Sequence, residues 1–276
     1  MLGRLLRTLR LKSFKSSRIV KTKKHVYKIV WGPYASMLEN EFLAFESGSS
    51  SDYFWHGFGC YYNRVFSLFL QIYLVRSERL YGRPSYEEMD NFILKLLERI
   101  NDDAPYRPVL TTFEESRVDK LLGNLSNGNR EYLIERTKDI YVPVTGAHGD
   151  FTDGNVRCDE KGAIYLIDWD RYRENGSVVS DILRLYLLRG WRILKDQGYD
   201  RGSFDPRIPM PIPNAVCSKL DALGCKKSDL GILAALSNLC FRRNDRIGLQ
   251  KRLVKFDRIL GEMREMVSKD KADGRR

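Results

Sequence analysis

The stretch HGDFTDGNVRCDEKGAIYLIDWD, from His148 to Asp170, constrains the fold of this chain more than any other. Its middle reads as a β-hairpin. Asn155–Cys158 and Ala163–Ile167 are short arms, and Asp159-Glu160-Lys161-Gly162 supplies the Asp and Gly that a tight turn needs. Folding back there sets the polar loop before the first arm beside the residues that follow the second. Asp150, Asn155 and Asp168 then converge although they are far apart in sequence. An amide oxygen and a carboxylate suit a hard divalent cation such as magnesium, which takes few protein ligands and keeps its other positions for water and phosphate. A further carboxylate beside them is placed to accept a proton from a hydroxyl. Metal, phosphate and base together describe phosphoryl transfer, in which positioning and charge neutralisation do most of the catalysis.

A chain of 276 residues, 43% of them apolar, can bury a real core and has room for one large domain or two lobes. No apolar run approaches the roughly 18 residues of a spanning helix. The cysteines and histidines show no pair at zinc spacing, Cys217 and Cys225 being the nearest two cysteines, and they are expected to be reduced thiols in a cytoplasmic protein. The formal charge of +11 is concentrated at the start: Arg4, Arg7, Arg10, Lys12, Lys15, Arg18, Lys21, Lys23, Lys24 and Lys28 come with no acid among them, and the rest is nearly neutral. Leu2, Leu5, Leu6 and Leu9 fall on one helical stripe with the arginines off it. Residues 1–12 are therefore expected either to lie on an anionic membrane surface, on its inner face, or to pack on their own domain. A nucleic-acid partner is not expected, since no recognition motif follows the basic head.

Alternation predicts strands over Arg18–Thr22 and His25–Trp31, and the aromatic and β-branched run Phe54–Val75 predicts more. Helical spacing covers Ala35–Glu46, with Met37, Leu38, Glu41, Phe42 and Phe45 on one side. Ser85 and Glu88 make a capping box ahead of Phe92, Ile93, Leu96 and Leu97. Further helices are expected over Thr112–Leu122, over Arg130–Thr137 and from Val178 to the end, broken at Pro206–Pro213. A strand-rich lobe, residues 1–76, thus precedes a larger helical one, residues 77–276, with the boundary near Ser77.

His148-Gly149-Asp150 followed by Asn155 has the H-x-D-x-x-x-x-N spacing of the kinase catalytic loop. Ile167-Asp168-Trp169-Asp170 resembles the segment at the Asp-Phe-Gly position of aminoglycoside phosphotransferases, choline kinases and lipopolysaccharide kinases. The resemblance implies an α+β, two-lobed protein-kinase-like fold, with a small antiparallel-sheet N-lobe and a helical C-lobe. It implies an enzyme that uses ATP and Mg2+, with Asp150 as catalytic base and Asn155 and Asp168 as the metal ligands. Lys28, on a predicted strand, would contact the nucleotide phosphates, and Glu41, on the next helix, would pair with it; Glu39 points away from Glu41 and is the rival. His148 would fix the loop. Asp181 matches an aspartate of these enzymes at the start of a helix, although a plain N-cap explains it equally well. A glycine-rich phosphate loop is lacking before Lys28, and Lys12–Ser17 is the one substitute.

The acceptor is expected to be a hydroxyl of a small molecule or glycan. Thr152 stands where protein kinases carry a lysine, and no Ala-Pro-Glu segment follows Asp168. Arg171 after the second acid, and the basic chain, favour a sugar of a cell-envelope polysaccharide or lipopolysaccharide over a polycationic aminoglycoside, with an aminoglycoside- or choline-type small-molecule kinase as the alternative. A relic kinase-like adaptor and a metal-dependent hydrolase are the readings from other classes.

Overall fold

The computed structural model describes residues 17–31, 54–55, 64–69, 72–78, 80, 82–100, 103–169, 171–198, 202–241 and 246–272. β1 (Ser17–Lys21) and β2 (His25–Trp31) are joined by a turn in which the Thr22 hydroxyl accepts from the His25 amide and donates to its carbonyl, both at 3.0 Å. β3 (Arg64–Phe69) and β4 (Ile72–Glu78) complete an antiparallel sheet of order β1-β2-β4-β3. Lys28 therefore sits mid-way along a central strand, opposite Ile19 on one side and Val75 on the other. The first two strands match the alternation to within a residue. Phe54–Trp55, expected as part of a strand, is a turn. The predicted helices over residues 1–12 and 35–46, and Glu41 and Glu39 with them, lie outside the described residues.

Ser85 opens α1 (Tyr86–Glu98): its hydroxyl accepts from the Glu88 amide at 3.2 Å while Glu88 accepts from the Ser85 amide at 2.7 Å, so two otherwise orphaned donors are satisfied. The helix buries Met89, Phe92, Ile93, Leu96 and Leu97. β5 (Tyr106–Pro108) pairs with β6 (Tyr141–Pro143), and between them lie α2 (Glu115–Gly123) and α3 (Asn127–Thr137). α2 begins later than the spacing predicts because Val109–Thr112 forms a 3-10 turn that buries Val109 and Thr112, whereas α3 begins earlier, just after Ser126.

A 3-10 turn (Asp153–Asn155) leads into the hairpin of β7 (Val156–Cys158) and β8 (Ile164–Leu166). α4 (Val178–Lys195) follows, then α5 (Asn214–Ala222), α6 (Leu230–Cys240) and α7 (Arg246–Ala272). Every residue of α4 from Val178 to Gly190 is buried, which marks it as the central helix of the larger lobe, packed on α6. The architecture is α+β, a small antiparallel sheet ahead of a helical lobe. Gly82, in the segment between them, exchanges main-chain hydrogen bonds with Cys158 (3.3 and 3.1 Å), and a Cβ at Gly82 would strike the Cys158 sulfur. Among the described residues no helix is long and apolar enough to cross a membrane.

Candidate active site

The hairpin turn is built by Asp159, whose Oδ1 accepts from the Lys161 and Ala163 amides at 2.9 Å each. Val156 pairs with Leu166, both wholly buried, so one hairpin face is anchored in the helical core. At its open end the Ile167 amide donates to the Asn155 carbonyl at 2.9 Å, which brings Asp168 beside the loop. Asn155 Nδ2 donates to the Asp150 carbonyl at 2.9 Å and approaches Asp150 Oδ2 at 3.3 Å, so its amide oxygen is the atom left for a cation. Asp168 takes a left-handed backbone with φ of 66°, a conformation aspartate tolerates better than most residues, and its Oδ1 meets Lys28 Nζ at 3.1 Å. Lys28 is buried and the Asp168 side chain is 44% exposed, so the pair bridges the central strand and the hairpin at the edge of solvent. Asp150, Asn155, Asp168 and Lys28 are thus brought together. No three His, Cys, Asp or Glu side chains cluster as a metal site among the described residues. One amide oxygen and one carboxylate form a set that suits a cation retaining much of its water.

His148 is fully buried and holds the loop at both ring nitrogens. Nδ1 accepts from the Asp150 amide at 3.2 Å, which leaves Nε2 to donate to the Ile167 carbonyl at 3.0 Å. Those bonds select the neutral tautomer, in accord with burial, which drives its pKa down to about 4. Its ring lies 4.5 Å from Trp169, and Trp169 meets Trp55 edge to face at 5.2 Å. Trp55 Nε1 in turn donates to the Gly146 carbonyl at 3.2 Å.

Asp181 is not an N-cap. Ser177 occupies the cap position without a side-chain bond, and the hydroxyl of Thr145, distant in sequence, accepts from the Val178 amide at 2.9 Å instead. Asp181 lies one turn inside α4, wholly buried, and accepts from the His148 amide at 2.6 Å and the Gly149 amide at 3.1 Å. Burial pushes its carboxyl up to about 7, against Arg184 and the two amides, which favour the charged form. Gly149 has φ of 79° and backs onto the Arg171 carbonyl, so the loop passes where a side chain would not fit.

Arg184 follows one turn along α4 and donates to Asp150 Oδ1 at 2.8 Å; Arg171 adds a contact to the same oxygen at 3.4 Å. Burial raises the Asp150 pKa, but the two guanidiniums outweigh it and hold the carboxyl below its ordinary value. Asp153 is clamped in the same manner by Arg189 at 3.0 Å and Arg192 at 2.6 Å, and Arg189 also reaches Asp90 at 2.9 Å.

No protein-family model matches the sequence, and no curated protein matches it. Among solved structures, a thermostable mutant of the aminoglycoside phosphotransferase APH(4)-Ia in its apo form superposes with a TM-score of 0.50 at 12% identity, over 95% of this chain and 99% of that one. The fold is that of the kinase-like phosphotransferases. Choline kinase LicA from Streptococcus pneumoniae is similar at a TM-score of 0.47 and 14% identity, over 95% of this chain and 98% of that one. Within this kinase-like fold the sequence reading overlooked Trp55, Arg184 and the Asp153 clamp. The arginines of α4 carried one usable signal: Arg184 and Arg189 interrupt an apolar helix stretch, and a buried cation needs a partner.

Proposed function

We propose that this protein is an ATP- and Mg2+-dependent phosphotransferase that moves the γ-phosphate to a hydroxyl of a small molecule or glycan. The observation that carries this reading is the meeting of Asp150, Asn155, Asp168 and Lys28 at the hairpin mouth in a kinase-like fold. Asn155 and Asp168 would hold the cation, which supplies charge neutralisation on the phosphates. Lys28, freed from Asp168, binds phosphate oxygens. Asp150 orients the acceptor hydroxyl: the O–H bond breaks, its oxygen bonds to the γ-phosphorus, the bond from that phosphorus to the β–γ bridging oxygen breaks, ADP departs and the proton passes to Asp150. A carboxylate held below its ordinary pKa is a weak base, suited to aligning the hydroxyl and taking its proton late in a loose transition state.

The favoured acceptor is a sugar of a cell-envelope polysaccharide or lipopolysaccharide. Around the loop, Asp150, Asp153 and Asp90 each already face an arginine, so these carboxylates offer no surplus negative charge to a polycation. A kinase of aminoglycosides is the second reading, favoured by what the APH(4)-Ia neighbour acts on. Residues 1–12 would bring the enzyme to the inner membrane face as a peripheral contact. Titration calorimetry with Mg-ATP, followed by a mass-spectrometric screen of phosphate transfer to neutral and acidic sugars, choline and aminoglycosides, tests both levels. No Mg-ATP uptake overturns the enzyme reading, and transfer to aminoglycosides alone overturns the glycan acceptor.

A further inference from the structure

Asp150 presents two oxygens in unequal surroundings. Oδ1 takes the Arg184 guanidinium at 2.8 Å and Arg171 at 3.4 Å, whereas Oδ2 has one hydrogen-bond contact among the described residues, Asn155 Nδ2 at 3.3 Å. Arg184 is 4% exposed and stands on the fully buried stretch of α4, so it has no solvent to retreat into. Its Nη1 donates to the Gly149 carbonyl and its Nε to Asn238 Oδ1, both at 3.4 Å. Asn238, on α6 and itself buried, is tied to the Ser203 carbonyl and hydroxyl. A guanidinium held on three sides fixes the direction of any carboxylate bonded to it, because a planar fork offers few alternative geometries.

We propose that Arg184 is a positioning residue: held by Gly149 and Asn238, it occupies Oδ1 of Asp150 and thereby presents Oδ2 to the acceptor hydroxyl. The inference rests on the phosphotransferase reading. α4 then grips the loop twice within one turn, Asp181 through the main-chain amides and Arg184 through the side chain that meets the substrate. A reacting group misplaced by an ångström loses on the order of 100-fold in rate, while nucleotide affinity, set at Lys28 and Asp168, is untouched.

The test compares Arg184→Met and Arg184→Lys with the wild type in phosphate release from Mg-ATP with water as acceptor, alongside Mg-ATP calorimetry and a crystal structure of Arg184→Met. The inference predicts that Arg184→Met lowers kcat by about 100-fold with the KM for ATP within about threefold, that Arg184→Lys recovers part of the loss, and that the Asp150 carboxylate turns in the crystal. If Arg184→Met does not fold, Asn238→Ala loosens the same guanidinium from its other side and should lower kcat about tenfold at constant KM. A kcat within about threefold of wild type, or an unmoved Asp150 carboxylate, overturns the inference. A wild type that neither takes up Mg-ATP nor releases phosphate overturns the phosphotransferase reading itself, and the Asp150 position in the Arg184→Met crystal still decides the role of Arg184.

Discussion

Replacing Asp181 with asparagine should change how the stability of the fold depends on pH. Asp181 is wholly buried, and burial raises its carboxyl from 3.8 to about 7. Below the unfolded value both states are protonated, and the group's stabilising contribution is fully present. As pH rises from about 4, the unfolded chain loses this proton while the folded chain keeps it, so stability falls by ~1.4 kcal/mol per pH unit until the folded carboxyl also ionises near 7. Over that window of about 3 units the loss reaches roughly 4 kcal/mol, and above it the contribution is level. The introduced amide cannot titrate, but its oxygen can still accept from the His148 and Gly149 amides. Urea unfolding of both proteins from about pH 4.5 to 8 isolates the effect, since titrating groups that do not interact with Asp181 cancel in the difference and Arg184 stays charged throughout. Wild type should lose stability relative to Asp181→Asn as pH rises, and the gap should stop growing near pH 7. A difference that stays flat within about 0.5 kcal/mol would mean that the two amides and Arg184 outweigh burial and keep the carboxylate charged, refuting the reasoning.

Asp150→Ala should lower kcat by about 10²- to 10⁴-fold with Mg-ATP affinity by calorimetry nearly unchanged, whereas Asp168→Ala should weaken Mg-ATP binding as well. Trp55→Ala removes a fully buried indole that packs on Trp169 and should cost about 3–5 kcal/mol in chemical denaturation. Gly149→Ala places a Cβ against the Arg171 carbonyl at positive φ and should lower both the melting temperature and kcat, a loss of at least about 1–2 kcal/mol from the backbone conformation alone. Deleting residues 1–11 should abolish binding to anionic liposomes in a sedimentation assay while leaving Mg-ATP uptake intact.

Features written in local chemistry were legible in the sequence. The Asp159–Gly162 turn, the Ser85–Glu88 capping box and the alternation of β2 each involve residues within a few positions of one another, and each stands where expected. The approach of Asn155 to Asp150 and of Asp168 to the loop followed from that hairpin, and the kinase resemblance pointed to Lys28, which meets Asp168. Contacts made across the fold left no such trace. α4 begins at Val178 as its apolar pattern predicts, but its cap was hidden, because the capping hydroxyl belongs to Thr145 on a separate loop. A plain cap therefore explained Asp181 as well as the family's aspartate did, when its partners are the amides of His148 and Gly149. Arg184 and Trp55 act only once distant segments meet, Arg184 at Asp150 and Trp55 at Gly146 and Trp169.

The paired main-chain bonds between Gly82 and Cys158 tie the segment after the sheet to the hairpin of the helical lobe. They stitch the strap leading into α1 to the first arm of the hairpin, and any side chain at position 82 would part that seam against the Cys158 sulfur. The segment ahead of α1 is thus pinned to the same hairpin whose open end sets Asp168 against Lys28.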